Sequence, residues 1–283
     1  MPDVVVTALI PVREYLPEYL REAVGSLLAQ TSPHWRAIVI DDRQGNGELE
    51  ADLDKATHDP RIALVRTRGR RLAGALNTGM REASTEFTAS LFADDLWAPD
   101  AVEVLNRSIA ERPDVDFFHS GRRYIDDRGE PISGVVAPRA DVRLESFLEA
   151  APVKHLLCWR RELALSIGGI DESLNSVGPD DYDLPWSMME AGARFAAIPE
   201  CLYVYRDHRS CYRLTTHLPR RTHVRETRRI LRKHGVPRSE IRRRTAEARK
   251  GYLRQCLYSS PLDAWLKRAL RHDPARGWRE SYR

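Results

Sequence analysis

Two groups of closely spaced aspartates are the residues of this sequence best suited to chemistry. One pair follows an apolar segment, and the second group precedes a helical pattern. They are Asp94 and Asp95, and Asp180, Asp181 and Asp183. Adjacent carboxylates shielded from water need a partner, and a divalent cation is one such partner. Carboxylate oxygens suit Mg²⁺ or Mn²⁺, and a further carboxylate nearby can remove a proton from a hydroxyl group.

Helix capping is the competing interpretation of both groups. Aspartate is favoured at helix N-caps, where its carboxylate accepts backbone N–H groups. Asp95 or Asp100 can cap the helix predicted at Asp100–Glu111, and Asp183 can cap the helix predicted at Pro185–Ala191. One carboxylate is enough to cap a helix. The remaining aspartates are therefore available for other tasks.

The elements that must position these aspartates alternate between strand and helix. Apolar β-branched runs predict strands at Val4–Ile10, Ala37–Ile40, Ile62–Val65, Phe87–Phe92 and Val115–His119. Helical spacing predicts helices at Tyr15–Gln30, Leu72–Ala83 and Asp100–Glu111. This alternation predicts an α/β fold with a mostly parallel sheet flanked by helices. Ligands of such sheets bind at the carboxyl ends of the strands, where Arg13, Asp42 and Asp95 are expected.

The second half of the chain has a less regular pattern. A hairpin turn is predicted at Tyr124–Gly129, and a short strand at Leu156–Trp159 leads into a helix at Arg161–Ile167. Strand-like runs follow at Arg194–Ile198 and Leu202–Tyr205.

Positive charge is concentrated at the end of the chain. The 283 residues have a net charge of +4, yet Pro219–Arg283 alone contains 20 Lys/Arg against 6 Asp/Glu. We therefore predict a catalytic domain over residues 1–218 and a basic helical C-terminal extension over residues 219–283. The extension is open to four interpretations: docking on the acidic body, a homodimer through the C-terminal helices, peripheral contact with anionic lipid, and binding of an acidic acceptor. Nucleic acid is not an expected partner, because no binding motif accompanies the charge.

Composition and hydropathy predict a globular, cytoplasmic protein. Hydrophobic residues make up 42% and charged residues 30% of the chain. No apolar stretch approaches the roughly 20 residues needed to cross a bilayer. Asp3 precedes the first apolar run, so the N-terminus lacks the pattern of a signal peptide.

Ordered motifs along the chain carry a resemblance to a known family. The first half contributes Val6–Val12, Leu28–Pro33, Ile40–Asp42, Gly74–Gly79 and Phe92–Asp100. The second half contributes Gly168–Leu174, Asp180–Leu184 and Pro199–Arg206. In this order the motifs resemble the family 2 glycosyltransferases, which have a GT-A (Rossmann-like) fold. The resemblance covers about residues 4–215.

The resemblance implies a role for each matching residue. Residues implied in donor binding are Pro11, Val12, Arg13, Asp42, Arg71, Asn77 and Asp94. A metal ion, Mg²⁺ or Mn²⁺, is implied at Asp95, with Asp94 and His208 as further ligands. Catalysis is implied at Asp181 and its neighbour Asp180, with Asp181 as the base for an inverting displacement.

The chain also departs from the family pattern. Phe92 stands where the family usually has a carboxylate, and Asp180 replaces the usual glutamate. The Gln-x-x-Arg-Trp signature of processive synthases is absent, so a single transfer per encounter is expected. The resemblance thus implies metal-dependent transfer of a sugar from a UDP-, GDP- or dTDP-linked donor to the hydroxyl of an unidentified acceptor.

Two other functions are compatible with the same fold. A nucleotidyltransferase would act on a sugar phosphate, but its usual glycine-rich loop after the first strand has no counterpart at Arg13–Pro17. A non-catalytic nucleotide-sugar binder would explain the loss of a carboxylate at Phe92.

Overall fold

A mixed β-sheet with helices on both faces forms the frame of the molecule. The computed structural model describes residues 6–43, 48–69, 71–174, 178–207 and 220–247. The strands are β1 (Val6–Val12), β2 (Trp35–Asp41), β3 (Ile62–Arg66), β4 (Phe87–Ser90), β5 (Leu96–Trp97), β6 (Phe117–Ile125), β7 (Leu157–Arg160) and β8 (Phe195–Arg206). They lie in the order β3-β2-β1-β4-β7-β6-β8-β5.

The first half of the sheet is parallel. β1 pairs in parallel with β2 on one side and β4 on the other, and β2 pairs in parallel with β3. The carboxyl ends of these strands therefore meet at one edge of the sheet. This half confirms the predicted α/β architecture.

The second half of the sheet is mixed. β7 lies antiparallel between β4 and β6, and β5 is antiparallel to β8, whereas β6 and β8 run parallel. The runs predicted as two strands at Arg194–Ile198 and Leu202–Tyr205 form the single strand β8. A shift of register opposite Ser120 and Gly121 lets this strand continue.

Two apolar clusters join the helices to the two faces of the sheet. The helices are α1 (Pro17–Leu28), α2 (Glu48–Ala56), α3 (Arg71–Glu82), α4 (Ala101–Glu111), α5 (Ser146–Glu149), α6 (Arg161–Ser166), α7 (Leu184–Glu190) and α8 (Arg220–Lys233). Helices α1, α2 and α4 contribute to one cluster, and α3, α6 and α7 to the other. A Cβ atom at Gly79 would lie 2.9 Å from the side chains of Leu9 and Ile40, so this glycine lets α3 approach the sheet.

Helix α2 is an element that the sequence pattern did not predict. Its buried face consists of Leu49 and Leu53 alone, which is too few apolar positions to give a clear helical period. The helix nevertheless packs on the sheet through these two leucines.

The first part of the basic extension packs against the body. Ile230 and Leu231 of α8 are completely buried in a third apolar cluster, which includes Phe147, Tyr182 and Trp186. Residues 238–247 are also helical, and Ile241 joins the same cluster. Within the residues described, no helix has both the length and the apolar composition required to cross a membrane.

Candidate active site

The first corner of the site lies at the ends of β1 and β2. Arg13 follows β1 and Asp42 follows β2, and the Arg13 Nη1 atom lies 3.7 Å from the Asp42 Oδ2 atom. The backbone N–H of Arg71, at the start of α3, donates a hydrogen bond to the Asp42 carboxylate. Arg71 has a φ of 55°, a left-handed conformation that is uncommon for a residue with a side chain. Three predicted donor-binding residues thus come together here.

The Asp42 carboxylate has unused capacity to accept a hydrogen bond. Its Oδ2 atom is buried and has no hydrogen-bond partner in the described structure. Burial raises the pKa of Asp42, whereas the Arg13 guanidinium opposes this shift. Buried acceptors are normally satisfied, so this oxygen is suited to an N–H group of a ligand.

Pro11 and Val12 are the last two residues of β1, directly before Arg13. Val12 is only 1% exposed, and its carbonyl accepts the Asp42 backbone N–H at 2.8 Å. Pro11 is partly buried on the same strand. Their role in donor binding stays a prediction, and the Val12 side chain belongs to the core.

Asn77 requires a correction, because its amide is used inside the protein. The Oδ1 atom accepts the backbone N–H of Ile170 at 2.8 Å, and the Nδ2 atom donates to the Ile170 carbonyl at 2.8 Å. A further hydrogen bond of 3.2 Å joins Nδ2 to Glu172. Asn77 is 2% exposed and links α3 to the segment after α6, rather than lining the donor pocket.

The adjacent Asp94 and Asp95 have different surroundings. Asp95 is 1% exposed, and its two oxygens accept hydrogen bonds of 2.7 Å from the Tyr203 hydroxyl and the Arg206 backbone N–H. Burial, followed by the Asp94 carboxylate, raises the pKa of Asp95 well above its usual value. Asp94 is partly exposed, and its backbone carbonyl accepts a 2.9 Å hydrogen bond from the Arg206 side chain.

This difference distinguishes two of the expected metal ligands. Each oxygen of Asp95, the expected main ligand, accepts one hydrogen bond inside the protein. Asp94 is the more accessible carboxylate of the pair. His208, the third expected ligand, lies outside the described residues.

The second acidic segment is a π-helical turn, Pro179–Asp183, that precedes α7. Gly178 begins this turn with a φ of 46°, and a Cβ atom there would lie 2.8 Å from Asp181 Oδ1. Asp180 is 5% exposed, and its Oδ2 atom lies 3.2 Å from His155 Nε2. Asp181 is partly exposed, so it is the better placed of the two to meet a substrate.

Asp183 does not form the cap that its position suggested. No side-chain hydrogen bond caps α7. The buried carboxylate instead contacts the basic extension, at 2.6 Å from Lys233 Nζ and 3.0 Å from His234 Nε2. The His234 ring also stacks on the Trp186 ring, with 4.1 Å between the ring centroids and 5° between the ring planes. Asp183 therefore anchors α8 beside the second acidic segment.

Basic side chains connect the two acidic segments electrostatically. Burial and the adjacent Asp180 raise the pKa of Asp181, whereas Lys154, His155 and Arg122 act in the opposite direction. The Arg122 guanidinium also lowers the pKa of Asp95. The two segments also lie in one cluster of contacts, because His155 Nε2 lies 3.2 Å from Asp180 Oδ2 and the His155 ring packs 5.3 Å from the ring of Tyr203, which is hydrogen-bonded to Asp95. Burial lowers the pKa of Lys154 to about 8.

Several residues of this cluster were missed at the sequence level. Tyr203 and Arg206 lie on β8, while Arg122 lies on β6 beside them. Arg206 is 1% exposed and also contacts Glu22 of α1, so it joins distant elements around the Asp94–Asp95 turn. The strand-like pattern around Leu202–Tyr205 was a signal for burial, but it gave no information about the partner carboxylate.

Comparison with known proteins shows similarity to glycosyltransferases. Residues 7–143 match the family model described as "Glycosyl transferase family 2". The chain is similar to the O-antigen biosynthesis protein RfbC of Myxococcus xanthus, with 24% identity over 204 residues, or 71% of this chain and 16% of RfbC. It is also similar to WfgD of Escherichia coli, named UDP-Glc:alpha-D-GlcNAc-diphosphoundecaprenol beta-1,3-glucosyltransferase, with 28% identity over 141 residues. That match covers 49% of this chain and 53% of WfgD, so the chain spans about half or less of either relative.

Two solved structures are similar to this chain over most of its length. TarS of S. aureus (residues 1–349), solved with UDP-GlcNAc, has a TM-score of 0.63 at 17% identity and covers 89% of this chain and 72% of the TarS chain. The mannosyltransferase PcManGT of Pyrobaculum calidifontis, solved with GDP-Man and Mn²⁺, has a TM-score of 0.59 at 20% identity over 100% of this chain and 86% of its own. Residues 7–143 are thus similar to the family 2 glycosyltransferases, and the architecture of the chain is that of the GT-A fold.

Proposed function

We propose that the chain transfers a sugar from a nucleotide diphosphate to a hydroxyl group of an acceptor, with inversion at the anomeric carbon. One observation carries this proposal. The Arg13–Asp42–Arg71 corner and the Asp94–Asp95 turn follow parallel strands at one edge of the sheet, and contacts through Tyr203 and His155 join that turn to the segment that holds Asp181. Ligands of parallel sheets bind at this edge.

The corner at β1 and β2 is the proposed site for the nucleotide. The unused Asp42 oxygen can accept an N–H group of the base, and the half-exposed Arg13 side chain is near enough to meet a phosphate. Charge-assisted hydrogen bonds of this kind are stronger than neutral ones. The UDP-GlcNAc in TarS and the GDP-Man in PcManGT support a nucleotide-sugar donor for this chain.

The residues at the Asp94–Asp95 turn fit a loosely held Mg²⁺ or Mn²⁺. Among the described residues, no group of three acidic, histidine or cysteine side chains converges on one point. Magnesium is commonly held by one or two carboxylates together with substrate phosphates and water, so a complete protein cage is unnecessary. We assign the main ligand to Asp94, because Asp95 is enclosed. When bound, such a cation neutralises negative charge that develops on the departing diphosphate.

Asp181 is the proposed general base. Its carboxylate takes the proton of the acceptor hydroxyl while that oxygen forms a bond to the anomeric carbon. The bond from the anomeric carbon to the diphosphate oxygen breaks from the opposite side, so the configuration inverts in one step. The raised pKa of Asp181 makes this carboxylate a stronger base than an exposed aspartate.

The acceptor and the location of the enzyme are further parts of the proposal. The name of WfgD places its acceptor sugar on a lipid diphosphate, and RfbC is named for O-antigen biosynthesis. We propose a glycan or glycolipid hydroxyl as acceptor, one transfer per encounter, and a cytoplasmic location. Residues 1–218 form the proposed catalytic unit, and residues 219–283 the extension.

Charge on α8 supports peripheral contact with anionic lipid. Four arginines share one face of the helix, at positions i, i+4, i+7 and i+11: Arg221, Arg225, Arg228 and Arg232. In the described part of the chain, Arg225 pairs with Glu226 at 2.9 Å, and the other three have no acidic partner. Two apolar residues of α8, Ile230 and Leu231, are already buried against the body. We therefore favour lipid contact over a homodimer through this helix.

Thermal unfolding with nucleotide sugars tests the proposed donor class. UDP-, GDP- and dTDP-linked sugars are compared with and without Mn²⁺. A ligand at 100 times its Kd adds about 2.7 kcal/mol to the free energy of unfolding. We expect one nucleotide class to stabilise the protein, more strongly with Mn²⁺. The Asp42→Ala variant should lose most of this effect, and the exposed control Asp54→Ala should retain it; no stabilisation by any donor would contradict the proposal.

A further inference from the structure

Sugar transfer requires a fixed distance between the two acidic segments, and no single strand contains both of them. Asp95 lies in the turn after β4, and Asp180 lies in the turn before α7. A donor held at one segment and a base held at the other must align closely, because a misplacement of about 1 Å can cost roughly 100-fold in rate. Contacts that join the two segments are therefore important for catalysis.

Tyr203 provides the contact on the donor side. Its side chain is 0% exposed, and its hydroxyl donates a 2.7 Å hydrogen bond to Asp95 Oδ2. The same hydroxyl accepts the backbone N–H of Phe92 at 3.3 Å. The hydroxyl thus binds both the carboxylate and the backbone of the first acidic turn.

His155 provides the contact on the base side. Its Nε2 atom lies 3.2 Å from Asp180 Oδ2, and both side chains are buried. The His155 ring packs against the Tyr203 ring, with 5.3 Å between their centroids. A continuous series of contacts therefore runs from Asp95 through Tyr203 and His155 to Asp180.

Phe92 completes the contact between the rings. Its ring centroid lies 5.1 Å from that of His155, so the imidazole packs against Phe92 as well as Tyr203. A carboxylate at position 92 would lack this aromatic surface. The substitution that sets this chain apart from the usual family pattern therefore adds packing to the junction between the segments.

We propose that Tyr203 and His155 are positioning residues that hold the Asp95 segment and the Asp180 segment at the spacing required for sugar transfer. The inference rests on the proposed function, since it assigns the two segments to the donor and to the base. Neither side chain needs to contact the reacting atoms. Each acts through the carboxylate to which it is hydrogen-bonded.

Kinetic comparison of conservative variants tests this pair. Tyr203→Phe removes only the hydroxyl, and His155→Leu removes the hydrogen bond to Asp180. We expect each to lower kcat by about 10- to 100-fold while KM for the donor stays near the wild-type value. His155→Gln retains a side-chain N–H and should recover most of the kcat lost in His155→Leu. The control Tyr19→Phe also removes a tyrosine hydroxyl hydrogen bond, to the Asp127 carbonyl, and should leave kcat unchanged.

The double variant tests whether the two residues act as one unit or contribute independently to kcat. If the residues act as one unit, Tyr203→Phe with His155→Leu should lose no more kcat than the worse single variant. Urea unfolding of the wild type, the two single variants and the double variant, without donor or metal, should give changes in the free energy of unfolding that do not add. A folded Tyr203→Phe protein with wild-type kcat, or additive losses in both measurements, would overturn the inference. If the wild type transfers no sugar, the proposed function fails, and the unfolding measurements alone decide whether the pair couples the segments.

Discussion

At the scale of single residues, environment separates aspartates that look equivalent in the sequence. Asp94 and Asp95 are neighbours, yet one is partly exposed and the other has both oxygens bound by Tyr203 and Arg206. The same division occurs in the second segment, where Asp180 contacts His155 and Asp181 stays accessible. In each pair one carboxylate is enclosed and hydrogen-bonded, and the other is partly exposed.

Replacing each aspartate of the first pair tests this division. Asp94→Asn should abolish the additional stabilisation by Mn²⁺ while changing the free energy of unfolding by less than about 0.5 kcal/mol. Asp95→Ala leaves the Tyr203 hydroxyl and the Arg206 N–H without their acceptor, which should cost about 1–3 kcal/mol of stability. Urea unfolding in the presence of the donor, with and without Mn²⁺, measures the first effect, and urea unfolding without ligands measures the second. If Asp95→Ala instead of Asp94→Asn abolishes the stabilisation by Mn²⁺, Asp95 is the main metal ligand.

The Lys154 ammonium should set the lower end of the pH range for activity. The base must be ionised, so activity falls as pH decreases through the pKa of Asp181. Lys154 stabilises the ionised form and lowers that pKa. Lys154→Met should therefore move the acidic limb of the kcat/KM profile to higher pH, whereas the exposed control Lys55→Met should not. If the acidic limb of Lys154→Met is unchanged, Lys154 does not lower the pKa of the base.

At the scale of elements, local pattern predicted the parallel strands and missed contacts between distant segments. Apolar runs located β1, β2 and β4, and the parallel arrangement explains why Arg13 and Asp42 meet. The actual role of Asn77 depends on Ile170, which lies 93 positions away in the sequence. No periodicity reports such a contact, so the amide was assigned to the donor pocket instead. The partners of Asp95 on β8 were hidden for the same reason.

Helix α8 should be part of the cooperative unit of the protein. Ile230 is completely buried between α8 and the body, so Ile230→Ala should lower the free energy of unfolding by about 2–5 kcal/mol. Arg232→Ala, on the exposed face of the same helix, should change it by less than about 0.5 kcal/mol. Urea denaturation measures both values. Equal, small effects would mean that α8 does not dock in solution.

At the scale of the whole molecule, the basic helix α8 contacts the segment that holds the proposed base. Lys233 of α8 contacts Asp183, two residues from the proposed base. A lipid surface at the arginine face of α8 would therefore lie near the second acidic segment. This arrangement suits an acceptor that is itself attached to a membrane.

Vesicle partitioning tests the role of the arginine face. Replacing Arg221, Arg225, Arg228 and Arg232 by Gln should weaken binding to phosphatidylglycerol-containing vesicles by roughly fivefold per residue, because each cation near anionic lipid contributes about 1 kcal/mol. A matched control changes four exposed arginines of the body: Arg21, Arg36, Arg66 and Arg128. The control should bind nearly as well as the wild type. Equal losses in both variants would indicate an effect of net charge alone.

The most direct test of the account is sugar transfer by Asp181→Asn. Release of nucleoside diphosphate in the presence of acceptor and Mn²⁺ is compared with the wild type, alongside thermal stabilisation by the donor. We predict that kcat falls by about 100- to 10,000-fold while stabilisation by the donor is unchanged. Transfer at the wild-type rate would contradict Asp181 as the base, and a wild type that binds donor without turnover would indicate a non-catalytic binder.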